Sequence, residues 1–281
     1  MVQHFSYTSS QGHPMALSLY GGTLPPETPC VVYLHGFKGF KDWGFTPYLG
    51  ERFAKAGIRL LAMNFSHNGI GNNPLEFTEL EKFRDNTFSL EVDEAREVLE
   101  KYSDGRLFGA SSNVKMGVLG HSRGGGVALV AFARHPKVAA ICTWASVSTF
   151  ARYPKHVIDL WEQQGFLEVP NTRTGQMMHL GWRIHTDLMA HIDDKLSIQK
   201  AVSETTKPLC IVHGDADEAV SDGDARALFE WADNTQAELH VIPGAGHTFG
   251  AKHPFEGSNP LLEDALGHTL TFFTQQFSIA P

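Results

Sequence analysis

The sequence is poor in the features that mark a membrane protein, a nucleic-acid binder or a metalloprotein. No apolar run approaches the roughly 20 residues needed to span a bilayer. The opening residues, Met1-Val2-Gln3-His4-Phe5-Ser6, lack a basic stretch followed by an apolar one, so no signal peptide is expected. Positive charge is scarce: 23 Lys and Arg against 31 Asp and Glu leave a formal net charge of −8. That balance argues against nucleic acid or an anionic membrane surface as a partner. Cysteine is rare too. Cys30, Cys142 and Cys210 each fall in a predicted buried strand, and an odd number of strand cysteines reads as free thiols in a reducing compartment, so a cytoplasmic location is expected. There is no H-E-x-x-H and no Cys/His pairing at zinc spacing. His179, His185 and His191 recur every six residues, a step that does not stack side chains on one helix face. No metal site and no cofactor are expected. Internal repeats and low-complexity stretches are absent, and nothing in the sequence bears on oligomeric state.

What is present is an ordinary globular composition. The 281 residues are 42% hydrophobic and 19% charged, enough for one large α/β domain or one domain with an insertion. The most informative stretch is residues 115–133. An apolar run of strand length, Lys115-Met116-Gly117-Val118-Leu119, leads into Gly120-His121-Ser122-Arg123-Gly124 and then into an almost wholly apolar segment that reads as a buried helix. Strand, G-x-S-x-G, helix is the context of a nucleophile elbow, in which the serine sits on a strained turn above the sheet edge. Gly120 and Gly124 supply the absent side chains that such a turn requires.

Around this stretch the chain alternates. Residues 2–7 and 15–20 read as a hairpin at one sheet edge. Cys30–Leu34 and Arg59–Met63 are apolar strands, with a helix predicted over residues 43–56 between them. Residues 86–102 form the cleanest amphipathic helix, with Phe88, Val92, Ala95, Leu99 and Tyr102 on the core face and Glu91, Glu94, Glu97 and Glu100 expected in water. Further strands are expected at 138–145, 208–213 and 237–242, and helices at 221–232 and from Pro260, with Asn259 as N-cap. Strand–helix alternation predicts a mostly parallel central sheet flanked by helices. It breaks at residues 146–202, where helical pieces are seen and no clear strand. A structureless loop of that length is improbable, so an inserted, mostly helical cap is expected there. The expected organisation is a core over 1–145 and 203–281, with the cap at 146–202.

Ser122, an Asp near 215–217 and His247 each follow a predicted strand, in the chain order of α/β-hydrolase triads, and ligand sites of parallel sheets lie beyond those strand ends. On His35-Gly36-Phe37, Gly120 to Gly125, His213-Gly214-Asp215-Ala216-Asp217-Glu218-Ala219-Val220 and Gly244-Ala245-Gly246-His247, the chain resembles the α/β-hydrolase superfamily. Within it, the chain is similar to small esterases and feruloyl esterases and to the serine aminopeptidase and acylaminoacyl-peptidase groups. The resemblance spans nearly the whole chain outside the cap and implies an α/β-hydrolase fold.

It also implies roles. Ser122 is expected as nucleophile and His247 as its base. Asp217 is expected to orient His247, from the pattern His-Gly-x-x-Asp-x-x-Val, with Asp215 as rival. Backbone N–H groups of Arg123 and Phe37 are expected to form the oxyanion hole. His35, His121 and Trp182 are candidate substrate contacts, and His35 also fits as a brace of the oxyanion loop. The expected activity is that of a serine hydrolase cleaving carboxylic esters with an apolar or aromatic acyl group. One alternative is an aminopeptidase-like amide hydrolase acting on short peptides, its substrate amine anchored by Glu162, Glu168, Asp187, Asp193 or Asp194. The other, from a different class, is a catalytically silent hydrolase fold used for ligand binding.

Overall fold

The computed structural model describes residues 1–71, 73, 76–112, 114–233 and 236–279. The elements follow in chain order. β1 (Val2–Thr8) and β2 (Pro14–Tyr20) form the N-terminal hairpin. They are followed by β3 (Cys30–Leu34), α1 (Thr46–Lys55), β4 (Arg59–Met63), α2 (Leu80–Arg84) and α3 (Phe88–Ser103). Next come β5 (Met116–His121), α4 (Arg123–Phe132), β6 (Val138–Trp144), α5 (Lys155–Gln164), β7 (Phe166–Asn171) and β8 (Gln176–Gly181). The chain ends with α6 (Arg183–His191), α7 (Ile198–Ser203), β9 (Leu209–Gly214), α8 (Asp222–Trp231), β10 (Ala237–Ile242) and α9 (Pro260–Phe277).

Eight strands make one sheet in the order β1-β2-β4-β3-β5-β6-β9-β10. The hairpin β1–β2 joins it antiparallel through β2–β4, and every other pairing is parallel. Parallel strands covered on both faces lose their polar alternation, which is why every residue of β3, β4, β5 and β9 is buried. Two cores result. Helices α3, α4, α7 and α8 cover one face through Val92, Leu99, Leu129, Val202 and Leu228. Helices α1 and α9 cover the other through Leu49, Phe53, Leu262, Leu266 and Phe273. The α9 start is capped as expected: Asn259 Oδ1 accepts from the N–H of Leu261 at 3.0 Å and of Leu262 at 3.2 Å. The three cysteines are buried as free thiols. Among the described residues no helix is long and apolar enough to cross a membrane.

Two expectations are corrected. The segment between β6 and β9 contains strands after all: β7 and β8 form a separate antiparallel ribbon. Pro170 disguised it, since proline argues against a strand. In a two-stranded ribbon each strand has an open edge, so the missing N–H of Pro170 faces no ladder. The ribbon is pinned to α2, where a Cβ on Gly181 would lie 2.4 Å from the Arg84 carbonyl. Second, Glu91 and Glu94 are buried. Position 91 stands three residues after Phe88 and four before Ala95, on the core stripe itself. Burial pushes both carboxyls up, Glu94 to about 7. Both Glu94 oxygens accept hydrogen bonds from Ser66, from its hydroxyl and, at 2.9 Å, from its N–H.

Candidate active site

Strand β5 enters the elbow at full burial and the chain reverses at Ser122, whose φ of 57° and ψ of −122° lie outside the regions favoured by L-residues. Such a conformation costs on the order of 1–3 kcal/mol and persists only where the surroundings over-determine it. Here they do. The Ser122 N–H donates to Trp144 O at 2.8 Å, and α4 begins at the next residue. Strand, turn and helix approach so closely that a Cβ on Gly120 would lie 2.3 Å from Gly124 O. One on Gly124 would lie 2.4 Å from Leu34 O. Glycine is therefore required at both positions by backbone contact.

The turns after β9 and β10 bring two further side chains to this point. Ser122 Oγ lies 3.0 Å from His247 Nε2, and His247 Nδ1 lies 2.7 Å from Asp217 Oδ2. The carboxylate can only accept, so the His247 proton sits on Nδ1 and Nε2 is free to accept from the Ser122 hydroxyl. Asp217 is itself held from three sides. Its Oδ1 accepts from the N–H of Ala219 at 2.9 Å and of Val220 at 3.0 Å, and His213 Nε2 lies 3.4 Å from its Oδ2. Burial pushes this carboxyl up, but the hydrogen bonds from His213, His247 and the Val220 N–H together outweigh it. The group is held far below the usual carboxylate range. The rival, Asp215, accepts from the Gly244 N–H at 2.6 Å and so ties the two turns together, away from His247.

The loop after β3 crosses directly over the elbow: a Cβ on Gly36 would lie 2.9 Å from Ser122 Cβ. Its brace is His35, which donates from Nδ1 to Gly36 O at 2.9 Å and accepts the Phe65 N–H at 3.4 Å. Burial holds His35 neutral, down to about 4, as two-sided bracing of this kind requires. Arg123 opens α4, so its N–H has no acceptor in the helix's own i→i−4 ladder. Its guanidinium lies 4.0 Å from the Phe37 ring centroid, 5.1 Å from that of Phe88, and 3.7 Å from buried Glu91 Oε1. The side chain thus clamps the loop that carries Phe37 onto α3.

A profile of the Alpha/beta hydrolase family matches residues 31–260. The chain belongs to the alpha/beta hydrolase family. No curated protein matches the sequence. Solved structures of the same fold include Est1E from Butyrivibrio proteoclasticus, with ferulic acid bound, at 20% identity and a TM-score of 0.69, covering 97% of this chain and 99% of that one. The monoacylglycerol lipase of Paleococcus ferrophilus is 14% identical with a TM-score of 0.69, over 93% of this chain and 99% of that one. A soluble variant of the monoglyceride lipase of Saccharomyces cerevisiae is 11% identical with a TM-score of 0.73, over 98% and 95%.

In this hydrolase two cavities open beside Ser122. One, of about 360 Å³, lies between the His35–Gly39 loop and the β7–β8 turn at Asn171, Thr172 and Arg173. The other, of about 570 Å³, is walled by Phe88, Val147, Phe150 and Tyr153. It shares Phe88, Phe150 and Tyr153 with an apolar recess of about 230 Å³ reaching Trp161, Ile184 and Leu188. Of the expected substrate contacts, His121 lines the first cavity, but its Nε2 is engaged with His247 O at 2.9 Å, so it also holds the histidine loop in place. Burial, then the neighbouring His247, pull His121 down to about 3. Trp182 stacks on His185 and meets Trp161 edge-on, and it lines none of these three cavities. The residues not foreseen are Lys38, Arg152 and Arg173 at the cavity walls and Glu91 behind Arg123. Only Glu91 had a signal, its place on the α3 stripe. Away from the elbow, Cys210, Glu238 and His240 bring their ligand atoms within 4.8 Å of one another, through the β9–β10 register and not through any spacing along the chain.

Proposed function

We propose that the protein is a serine hydrolase that cleaves carboxylic esters through an acyl-Ser122 intermediate. His247 takes the Ser122 proton as Oγ attacks the carbonyl carbon, then returns it to the departing alcohol. A water molecule, deprotonated by the same His247, releases the acid and restores Ser122. Asp217 remains ionised, fixes the imidazole tautomer and stabilises the imidazolium. The N–H groups of Arg123 and Phe37 receive the developing oxyanion, with His35 bracing the loop that carries the second donor. No cofactor enters this scheme. Residues 146–202 act as a cap over the strand ends, and the Phe150–Trp161 recess receives the apolar part of the substrate.

The observation that carries the reading is the unbroken hydrogen-bonded line of 3.0 and 2.7 Å from Ser122 through His247 to Asp217, at the mouth of both cavities. The aminopeptidase alternative is disfavoured by the cavity walls. They hold Lys38, Arg123, Arg152 and Arg173, and none of Glu162, Glu168, Asp187, Asp193 or Asp194. A substrate ammonium would meet like charge with no carboxylate to receive it. A silent binding fold has no use for a strained serine hydroxyl held in line with His247 and Asp217.

The test compares p-nitrophenyl esters and aminoacyl p-nitroanilides on the native protein and on Ser122→Ala, with fluorophosphonate labelling as a second readout. Ester turnover and labelling that both disappear in the variant, with anilides untouched, is the expected result. Labelling at Ser122 with anilide turnover alone would move the assignment to a peptidase. No labelling and no turnover would favour the binding fold.

A further inference from the structure

Four cations reach the cavities at Ser122 in a chain whose net charge is −8, and they are not equivalent. Arg123 is matched by Glu91, and Arg152 by Asp224 at 2.9 Å. Lys38 and Arg173, which line the first cavity together with Ser122 and His247, have no carboxylate within ion-pair distance among the described residues. Among the described residues Lys38 Nζ donates only to a neutral carbonyl, Pro170 O, at 3.0 Å. Arg173 Nη2 is buried with no hydrogen-bond partner among the described residues. Its guanidinium lies over the rings of Phe40 and Phe77 at 5.3 and 5.6 Å. Burial, and for Lys38 also the charge of Arg173, push both groups down from their usual values. Two half-buried like charges therefore face each other across the gap between the β3 loop and the β7–β8 turn, and one buried guanidinium nitrogen has no acceptor among the described residues. Such an arrangement is relieved by a bound anion, and a planar carboxylate matches the guanidinium fork. Beyond the second cavity, the recess that reaches Trp161, Ile184 and Leu188 is mostly aromatic and aliphatic, and the arginines it includes, Arg123 and Arg152, are both paired with carboxylates.

Building on the esterase reading, we infer that the Lys38–Arg173 cavity is a carboxylate subsite. The preferred substrate then carries a carboxylate on one side of the scissile bond and an apolar group on the other. Binding places the substrate carboxylate between the Arg173 guanidinium and Lys38 Nζ, the apolar group in the Phe150–Trp161 recess, and the ester carbonyl between them at Ser122.

Two matched pairs test this. One puts the charge on the acyl side, p-nitrophenyl hydrogen glutarate against p-nitrophenyl valerate. The other puts it on the alcohol side, a butyryloxy-nitrobenzoate against p-nitrophenyl butyrate. In one pair the anionic ester is expected to exceed its neutral partner in kcat/KM by at least about tenfold, mainly through KM and less so at high salt. The pair that responds identifies the side bearing the charge. In the double variant Lys38→Gln, Arg173→Gln the anionic-to-neutral ratio is expected to fall to near one, while Arg106→Gln, at an exposed Arg106–Asp104 pair, leaves the ratio in place. Neutral esters equal to or better than both anionic ones would overturn the inference, as would an advantage that survives the double variant. Calorimetric titration of Ser122→Ala with glutarate and with hydroxy-nitrobenzoate separates the two readings. Saturable binding lost in the double variant, without turnover of any ester by the native protein, would retain the anion site and reject the esterase. Turnover of neutral esters without anion binding would do the reverse.

Discussion

The strand ends around Ser122 and the segment between β6 and β9 face each other across the same cavities, but different contacts hold them. At the elbow, backbone lies on backbone: the Gly124 Cβ position is 2.4 Å from Leu34 O, and that of Gly36 is 2.9 Å from Ser122 Cβ. In the inserted segment, side chains lie on side chains. Trp161 meets Tyr153 at 5.2 Å and Trp182 at 5.8 Å, and its Nε1 donates to Leu180 O at 2.9 Å. Leu160, Met177 and Met189 are left exposed nearby. Backbone contact has no slack and so fixes reacting atoms. Side-chain packing can be rearranged, which suits the substrate-selecting role proposed for this segment.

The sharpest way to break that contrast is to exchange charges on the two sides. Asp217→Asn is expected to lower kcat on a p-nitrophenyl ester by about 10⁴-fold, because the amide no longer holds the required His247 tautomer. Glu168→Gln, on the exposed ribbon, should stay within about twofold, as a surface change does. Equal losses would mean that the inserted segment takes part in the chemistry. Asp215→Asn belongs beside Glu168→Gln if Asp215 only ties turns together, and steady-state kinetics on all three ranks them.

Next in size is a pair of glycines. Gly124→Ala drives a methyl into the Leu34 carbonyl and should cost roughly 3 kcal/mol or more in urea unfolding. Gly175 has φ +70° in the β7–β8 turn and nothing within 4 Å of its Cβ position, so Gly175→Ala should cost only about 1–2 kcal/mol for the left-handed conformation. A reversed order would show that the elbow can yield.

Charge burial offers a pH test of the same kind. Glu94 has its folded value raised from 4.5 to about 7 by burial. A raised value means that its contribution to stability is whole below pH 4.5 and is lost as pH rises towards 7, where ionising the buried group costs on the order of 1–3 kcal/mol. Thermal unfolding should therefore show Glu94→Gln gaining on the native protein between pH 5 and 7 and holding that gain above it. Glu162→Gln, on an exposed helix of the inserted segment, should follow the native curve in parallel. The smallest effect is expected in selectivity. Phe150→Ala enlarges the apolar recess and should raise the octanoate-to-acetate ratio of kcat/KM by about fivefold to tenfold.

The readable parts of this protein were those in which function is local. Gly120-His121-Ser122-Arg123-Gly124 between an apolar run and a buried helix announces its turn, because sterics at two glycines admit little else. Asn259-Pro260 likewise announces the start of α9. The burial of Glu91 was legible in principle from its place three residues after Phe88, although a charged residue on a core stripe invites the opposite reading. The β7–β8 ribbon was obscured by Pro170, and aromatic content alone does not say which way a ring such as that of Trp182 faces.

The alternation of strands and helices outside residues 146–202, the family and the candidates Ser122 and His247 followed from the sequence, since each depends on periodicity, turn chemistry or a short motif, and the family motif favoured Asp217 over Asp215. Which of the two carboxylates contacts the imidazole is visible only in space: the turn after β9 brings Asp217 to within 2.7 Å of His247 Nδ1. So was the meeting of Lys38 with Arg173, which stand 135 positions apart in the chain. No spacing rule links them, because what brings them together is the packing of a ribbon on α2 and of a loop on the elbow, and packing is a property of surfaces that exist only once the chain has folded.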